Sequence, residues 1–178
     1  MTLEIGCGHG HFLSAYADAY PSERCLGVDI LRRRLTKALR KKRLRNLANL
    51  DFLSAEGSEI IEALPPNVSV TRVFIIFPDP WPKKRHHKKR LIQSGFLRGL
   101  GERVEEGGEL CFRTDHLSYF DWTRDLIDSS SYWKIDSKRA WPFEEETFFE
   151  TLFGEYQSLV AVRGESSGCK KKNNLHLR

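Results

Sequence analysis

The sequence predicts an α/β fold, a doubly wound and mostly parallel sheet with helices on both faces. Three observations predict it. Short β-rich apolar runs alternate with amphipathic stretches, the pattern of parallel strands joined by crossover helices. A glycine-rich turn follows the first of these runs directly, and a second run closes on an aspartate about twenty residues further along.

Taken in order, residues 3–5 form the first strand, and Gly6, Gly8 and Gly10 turn the chain into a helix. The apolar face of that helix carries Phe12, Leu13, Ala15, Tyr16 and Ala19, and Pro21 ends it. Residues 25–28 are a second strand ending at Asp29. The basic helix after it sets Leu31, Leu35, Ala38 and Leu39 toward the sheet, which turns its arginines outward. A third strand covers residues 50–53 and a short helix residues 58–64. Pro65, Pro66 and Asn67 then break the chain before a buried fourth strand, residues 72–77.

Pro78, Pro80 and Pro82 force a non-helical loop, since each lacks an amide donor and biases its predecessor away from helix. A helix over residues 89–104 leads through Gly107 and Gly108 into a fifth strand, residues 109–113. A helix near residues 119–127 and strands at 133–135 and 158–162 complete the sheet. Residues 1–164 are expected to form one domain, and residues 165–178, rich in Ser, Lys and Asn, a basic flexible tail.

The chain has 178 residues, 40% hydrophobic and 30% charged, which is ordinary for a globular domain and argues against disorder. Its net charge of +5 is unevenly spread. Residues 30–50 carry Arg32, Arg33, Arg34, Lys37, Arg40, Lys41, Lys42, Arg43 and Arg45 with no acidic residue, and residues 83–90 add six cations. Such concentration suits either a solvated face or a nucleic-acid footprint. Cys7, Cys25, Cys111 and Cys169 show neither CxxC pairing nor zinc-like spacing and are expected to be reduced thiols. The longest apolar run, residues 73–77, is too short to span a bilayer, and no secretory signal pattern opens the chain; a cytoplasmic protein with no membrane contact is expected.

Gly6, Gly8 and Gly10, at alternate positions directly after a strand, let a ligand approach the backbone, as a nucleotide-like cofactor requires. A dinucleotide fingerprint needs its third glycine at position 11, where His11 stands, so a nicotinamide cofactor fits poorly. Asp29 is placed to accept hydrogen bonds from the ribose hydroxyls of an adenosine. Glu4 in the first strand lies outside the dinucleotide pattern and, with Asp29, favours a cofactor site over a bare turn. Glu56, after the third strand, is either a further cofactor contact or a solvated loop acid.

At the carboxyl end of the fourth strand, the stretch FPDPWPKKRHHKKR brings Asp79 against a basic run. His86 and His87 sit among cations without neighbouring acids or cysteines, which is poor metal-ligand spacing, and no metal is expected. This stretch is similar to the signature of the bacterial tRNA (guanine-N(7)-)-methyltransferase family. Three further motifs agree with that family: LEIGCGHG, Thr114-Asp115-His116 with Tyr119, and Thr147-Phe148-Phe149-Glu150. The resemblance covers residues 3–163.

The resemblance implies the Rossmann-like class I methyltransferase fold, S-adenosyl-L-methionine as cofactor and tRNA as partner, in a monomer or homodimer. It implies Glu4, Gly6, Gly8, Gly10, Asp29, Glu56 and Asp79 around the cofactor, with Asp79 also catalytic. It implies substrate contacts from Lys83, Asp115, Thr147, Phe148, Phe149 and Glu150. Family members carry a sizeable segment ahead of the first strand, so a truncated first strand is expected here. Lys83, Lys84, Arg85, Lys88, Lys89 and Arg90 would hold phosphates, giving affinity without base specificity. Trp81, Phe148 and Phe149 would either stack on an exposed guanine or pack in the core. Two other readings compete: a methyltransferase acting on another RNA position, and a catalytically impaired RNA-binding remnant of the same fold.

Overall fold

In a computed structural model the protein is described over residues 1–145 and 154–165. The strands are β1 (Thr2–Ile5), β2 (Cys25–Val28), β3 (Leu50–Leu53), β4 (Val70–Ile76), β5 (Val104–Thr114), β6 (Trp133–Ile135) and β7 (Gln157–Arg163). The helices are α1 (His11–Ala19), α2 (Arg32–Leu44), α3 (Gly57–Ala63), α4 (Ser94–Arg103) and α5 (Leu117–Asp128). The seven strands form one sheet in the order β3-β2-β1-β4-β5-β7-β6. Pairing is parallel from β3 through β5 and antiparallel where β7 joins β5 and β6.

The expected alternation of strand and helix is therefore present, and its physical basis is burial on both faces. One apolar layer gathers Ile60, Leu97, Tyr119, Ile127 and Trp133, drawn from α3, α4, α5 and β6. The other gathers Phe12, Leu13, Tyr16 and Leu47 on Phe74, Cys111 and Val160 of the sheet. In α1 the buried face takes in Ser14 and Ala17, while Ala19, read as apolar-facing, is exposed. β1, expected to be cut short, spans four residues as β2 and β3 do and pairs along both edges.

Two local expectations are corrected. Helix was expected from residue 89, but Lys84–Lys89 is a 3-10 turn and α4 begins at Ser94. Here the Gln93 side-chain amide donates to the carbonyls of His87 and Arg90 (2.8 and 3.1 Å), so a side chain satisfies acceptors that a continuing helix would need. The fifth strand also starts earlier, at Val104, and passes through Gly107 at φ 78° with a shift of register between Val70 and Arg72.

Strand order reverses between β1 and β4. From β1 the chain first winds toward β2 and β3, then returns to lay β4 and β5 on the other side. In open α/β sheets the crevice at the carboxyl ends of such a pair is where ligands bind.

Candidate active site

β1 and β4 lie side by side in parallel, with Glu4 opposite Phe74, so the chain leaves both strands at one edge of the sheet. Gly6 directly follows β1, and Asp79 lies three residues past the end of β4. Asp115 directly follows β5, which pairs with β4. The sheet thus gathers the glycine turn, Asp79 and Asp115 on three adjacent strand ends.

The turn is rigid. Gly6 and Gly8 stand at φ 81° and 54°, a left-handed backbone that a side chain would strain, and a Cβ on either would meet nothing within 4 Å. That open space lies beside the backbone, where a ligand would come. Gly10 serves packing instead, since a Cβ there would come within 2.6 Å of the Phe52 ring and 2.8 Å of Ala38. The amides of Gly6 and Cys7 both donate to the Val28 carbonyl (2.8 and 3.0 Å).

Asp29, 4% exposed, closes the turn from β2. It accepts hydrogen bonds from the Gly8 amide at 3.0 Å and the Leu31 amide at 2.7 Å, and Arg34 lies 3.5 Å away. Oδ2 faces both Gly8 and Arg34, whereas Oδ1 takes the Leu31 amide and has a second lone pair for a further donor. Glu4 is equally buried, and its Oε2 has no hydrogen-bond partner among the described residues. Burial pushes its carboxyl up to about 8, the Asp29 charge adds to this, and the Leu13 amide opposes it. A buried acid with an orphaned oxygen beside an open glycine turn suits a ligand that brings a donor or a cation. These residues fit the adenosine and amino-acid parts of an S-adenosyl-L-methionine.

Arg34 was read with the outward arginines of α2; the structure draws it, together with Lys41, toward the glycine turn while leaving its side chain partly exposed. Lys41 Nζ donates to the His9 carbonyl of the glycine turn at 2.7 Å, and Arg34 pairs with Asp29. Burial, then the charges of Lys37 and Arg45, lowers the Lys41 pKa. Arg32, Arg33, Lys37, Arg40 and Arg43 are exposed. Glu56 is exposed and caps α3: its carboxylate accepts the Glu59 amide, and Glu59 Oε2 accepts the Glu56 amide at 2.9 Å.

Asp79 is exposed on a loop with a strained residue at each end, Phe77 at φ 48° and Trp81 at φ 43°. The Phe77 amide donates to the Arg113 carbonyl at 2.8 Å, and Arg90 Nε donates to the Pro80 carbonyl at 2.9 Å. Asp79 also acts on Tyr119, whose phenol is pushed up to about 12, chiefly by burial. Trp81 is half-buried, with Lys89 Nζ 4.7 Å from its ring and His86 edge-on at 5.8 Å. Lys83, Lys84, Arg85, Lys88 and Lys89 are exposed, whereas Arg90, counted with them as a phosphate contact, is 2% exposed.

Thr147, Phe148, Phe149, Glu150 and Cys169 lie outside the described residues. Cys7, Cys25 and Cys111 are free and buried. Among the described residues no helix is long and apolar enough to cross a membrane, and no cluster of His, Cys, Asp or Glu suits a metal ion. A hollow of about 340 Å³ between α5, β6 and β7 and another of about 470 Å³ near Ala17 and Arg45 are lined by other residues. The candidate site thus lies at the convergent ends of β1, β4 and β5, apart from both hollows.

Residues 1–165 match a protein family described as "Putative methyltransferase". A tRNA (guanine-N(7)-)-methyltransferase of Corynebacterium diphtheriae is 34% identical over 143 residues, 80% of this chain and 54% of that protein. One of Streptococcus sanguinis is 32% identical over 164 residues, 92% of this chain and 76% of that protein. The chain thus spans about half the length of the first relative and three quarters of the second. Among solved structures, an rRNA methylase from Streptococcus thermophilus superposes with a TM-score of 0.63 at 9% identity, over 92% of this chain and 86% of that one. This likeness shows the fold, that of class I methyltransferases.

Proposed function

Because the chain belongs to the tRNA (guanine-N(7)-)-methyltransferase family, we propose that it transfers a methyl group from S-adenosyl-L-methionine to nitrogen-7 of a guanine in tRNA. The adjacency of the Gly6–Gly10 turn and Asp79 on the paired strands β1 and β4 carries this reading.

When bound, the cofactor supplies an electrophilic methyl group on a sulfonium. Asp29 and the Gly6 and Gly8 backbone would hold its adenosine part, Glu4 would meet its amino-acid part, and Gly10 and Glu56 shape the surrounding turns. Guanine nitrogen-7 has a free lone pair, so no residue need remove a proton before attack, and positioning supplies much of the rate. Positive charge appears on the purine ring as the methyl moves in line, and the Asp79 carboxylate stabilises it there. Asp115, one strand away, accepts hydrogen bonds from the N–H donors on the Watson-Crick edge of guanine, which adenine does not match. Thr147, Phe148, Phe149 and Glu150 are the remaining substrate contacts of this reading.

Lys83, Lys84, Arg85, Lys88 and Lys89 border the same edge and hold tRNA phosphates, with the exposed cations of α2 extending the footprint. The protein works in the cytoplasm, as one methyltransferase domain over residues 1–164 followed by a basic tail, and as a monomer or homodimer. Incubation with unmodified tRNA and cofactor, followed by mapping of the methylated nucleotide, tests the reading. It requires 7-methylguanosine at one position; methyl groups elsewhere, or none, would reject it.

A further inference from the structure

We infer that Arg90 is a positioning residue, a single buried guanidinium that ties the loop bearing Asp79 to the turn bearing Asp115 and thereby fixes the placement of the two carboxylates. The inference rests on the proposed roles of those two acids.

Of the six cations in residues 83–90, Arg90 alone is turned inward, at 2% exposure. Its fork spans two segments far apart in sequence. Nε donates to the Pro80 carbonyl at 2.9 Å, while Nη1 and Nη2 donate to the Ser118 carbonyl and hydroxyl at 3.3 and 3.2 Å. Pro80 adjoins Asp79, and Ser118 lies in the first turn of α5, three residues past Asp115. Ser118 Oγ in turn lies 3.1 Å from His116 Nδ1 in that same turn.

Stability alone gives a poor account of this cation. Its partners here are two carbonyls, one hydroxyl and the rings of Tyr119 (4.8 Å) and Trp122 (5.4 Å). Apolar packing often stabilises a buried site as well as a charge does. What an apolar side chain lacks is directed donors at fixed angles, and the rigid fork of arginine supplies them to both loops at once. The need is local, because Phe77 and Trp81 hold left-handed backbone around Asp79, and such residues persist only when their surroundings over-determine them. Ammonium in place of guanidinium would reach one of the two segments.

The test is Arg90→Lys in the parent chain and in Asp79→Ala, assayed with unmodified tRNA. Turnover should fall by about 10- to 100-fold, as for a small misplacement of reacting groups, while KM for tRNA and the salt dependence of binding stay unchanged. Amide hydrogen exchange should quicken at Asp79, Trp81 and Asp115. In the Asp79→Ala background the same change should cost clearly less than in the parent, since the part that acts through the Asp79 carboxylate is missing and only the part through Asp115 remains. Unchanged turnover, the full loss repeated in Asp79→Ala, or a reduced salt slope would each overturn the inference, the last by making Arg90 a phosphate contact. Should Asp79→Ala by itself leave turnover intact, the functional assignment fails, and this inference with it. If Arg90→Lys does not fold, Ser118→Ala decides: a drop of about 3- to 10-fold in turnover at unchanged KM is expected for one lost charged hydrogen bond, and no drop overturns it.

Discussion

The Asp29 carboxylate accepts the Gly8 amide at 3.0 Å, so one buried side chain fixes the left-handed turn whose open side faces the crevice. The contact links a strand-end acid to the backbone that a cofactor would touch, which gives Asp29 a part in building the turn beside its proposed part in binding.

Asp29→Asn should therefore weaken S-adenosyl-L-methionine binding by about 10-fold or more, since charge-assisted hydrogen bonds to the turn and the ribose are lost together. Isothermal calorimetry measures this; affinity within twofold of the parent would remove Asp29 from the site.

Glu4 predicts a pH dependence of stability. Its carboxyl titrates near 8 when folded, against an ordinary value of 4.5, because burial disfavours the charged form. The native state thus holds a proton that the unfolded chain releases, and stability falls as pH rises from about 4.5 to 8 and then levels off. Glu4→Gln abolishes this slope. The substitution should raise the thermal midpoint at pH 8.5 relative to the parent by several degrees more than at pH 5, whereas equal shifts at both values would contradict it.

Lys41→Met should loosen the glycine turn by releasing the His9 carbonyl, lowering cofactor affinity by about 3- to 10-fold for one lost charged hydrogen bond. Arg40→Met removes an exposed cation next to it and should leave cofactor affinity unchanged. Titration of the two variants side by side separates a local fastening from a general charge effect.

Much of this site is legible in the sequence, and what is not has a physical reason. Asp29 and the alternate glycines are readable because strand ends and left-handed turns restrict residue type severely. The mostly parallel sheet is readable from the alternation of short apolar runs with amphipathic stretches, whereas the strand order is seen only in the fold. Charge runs are less legible: cations at successive positions read as one solvated face. In the fold, the 3-10 turn at Lys84–Lys89 rotates Arg90 inward, and the length of the lysine side chain carries Lys41 back to His9. The late start of α4 escapes sequence reading for a related reason, since the competing hydrogen bonds come from a side-chain amide, Gln93. Glu56, read either as a cofactor contact or as a solvated loop acid, is exposed and shares a capping box with Glu59, a local role that its place after the third strand does not reveal.

The exposed cations make a separate prediction. Lys84→Ala with Lys88→Ala should weaken tRNA binding and lower its salt slope by about one to two units, leaving cofactor affinity alone. Filter binding across a range of salt concentrations checks it, and an unaltered slope would place the RNA on another face.

Asp79, on the strand end beside the glycine turn, is proposed to stabilise the charge developing on the guanine. Single-turnover methyl transfer to unmodified tRNA by Asp79→Ala, at saturating cofactor, tests this most directly. The rate should fall by about 100-fold or more with tRNA affinity nearly intact; a rate equal to the parent's would contradict the account.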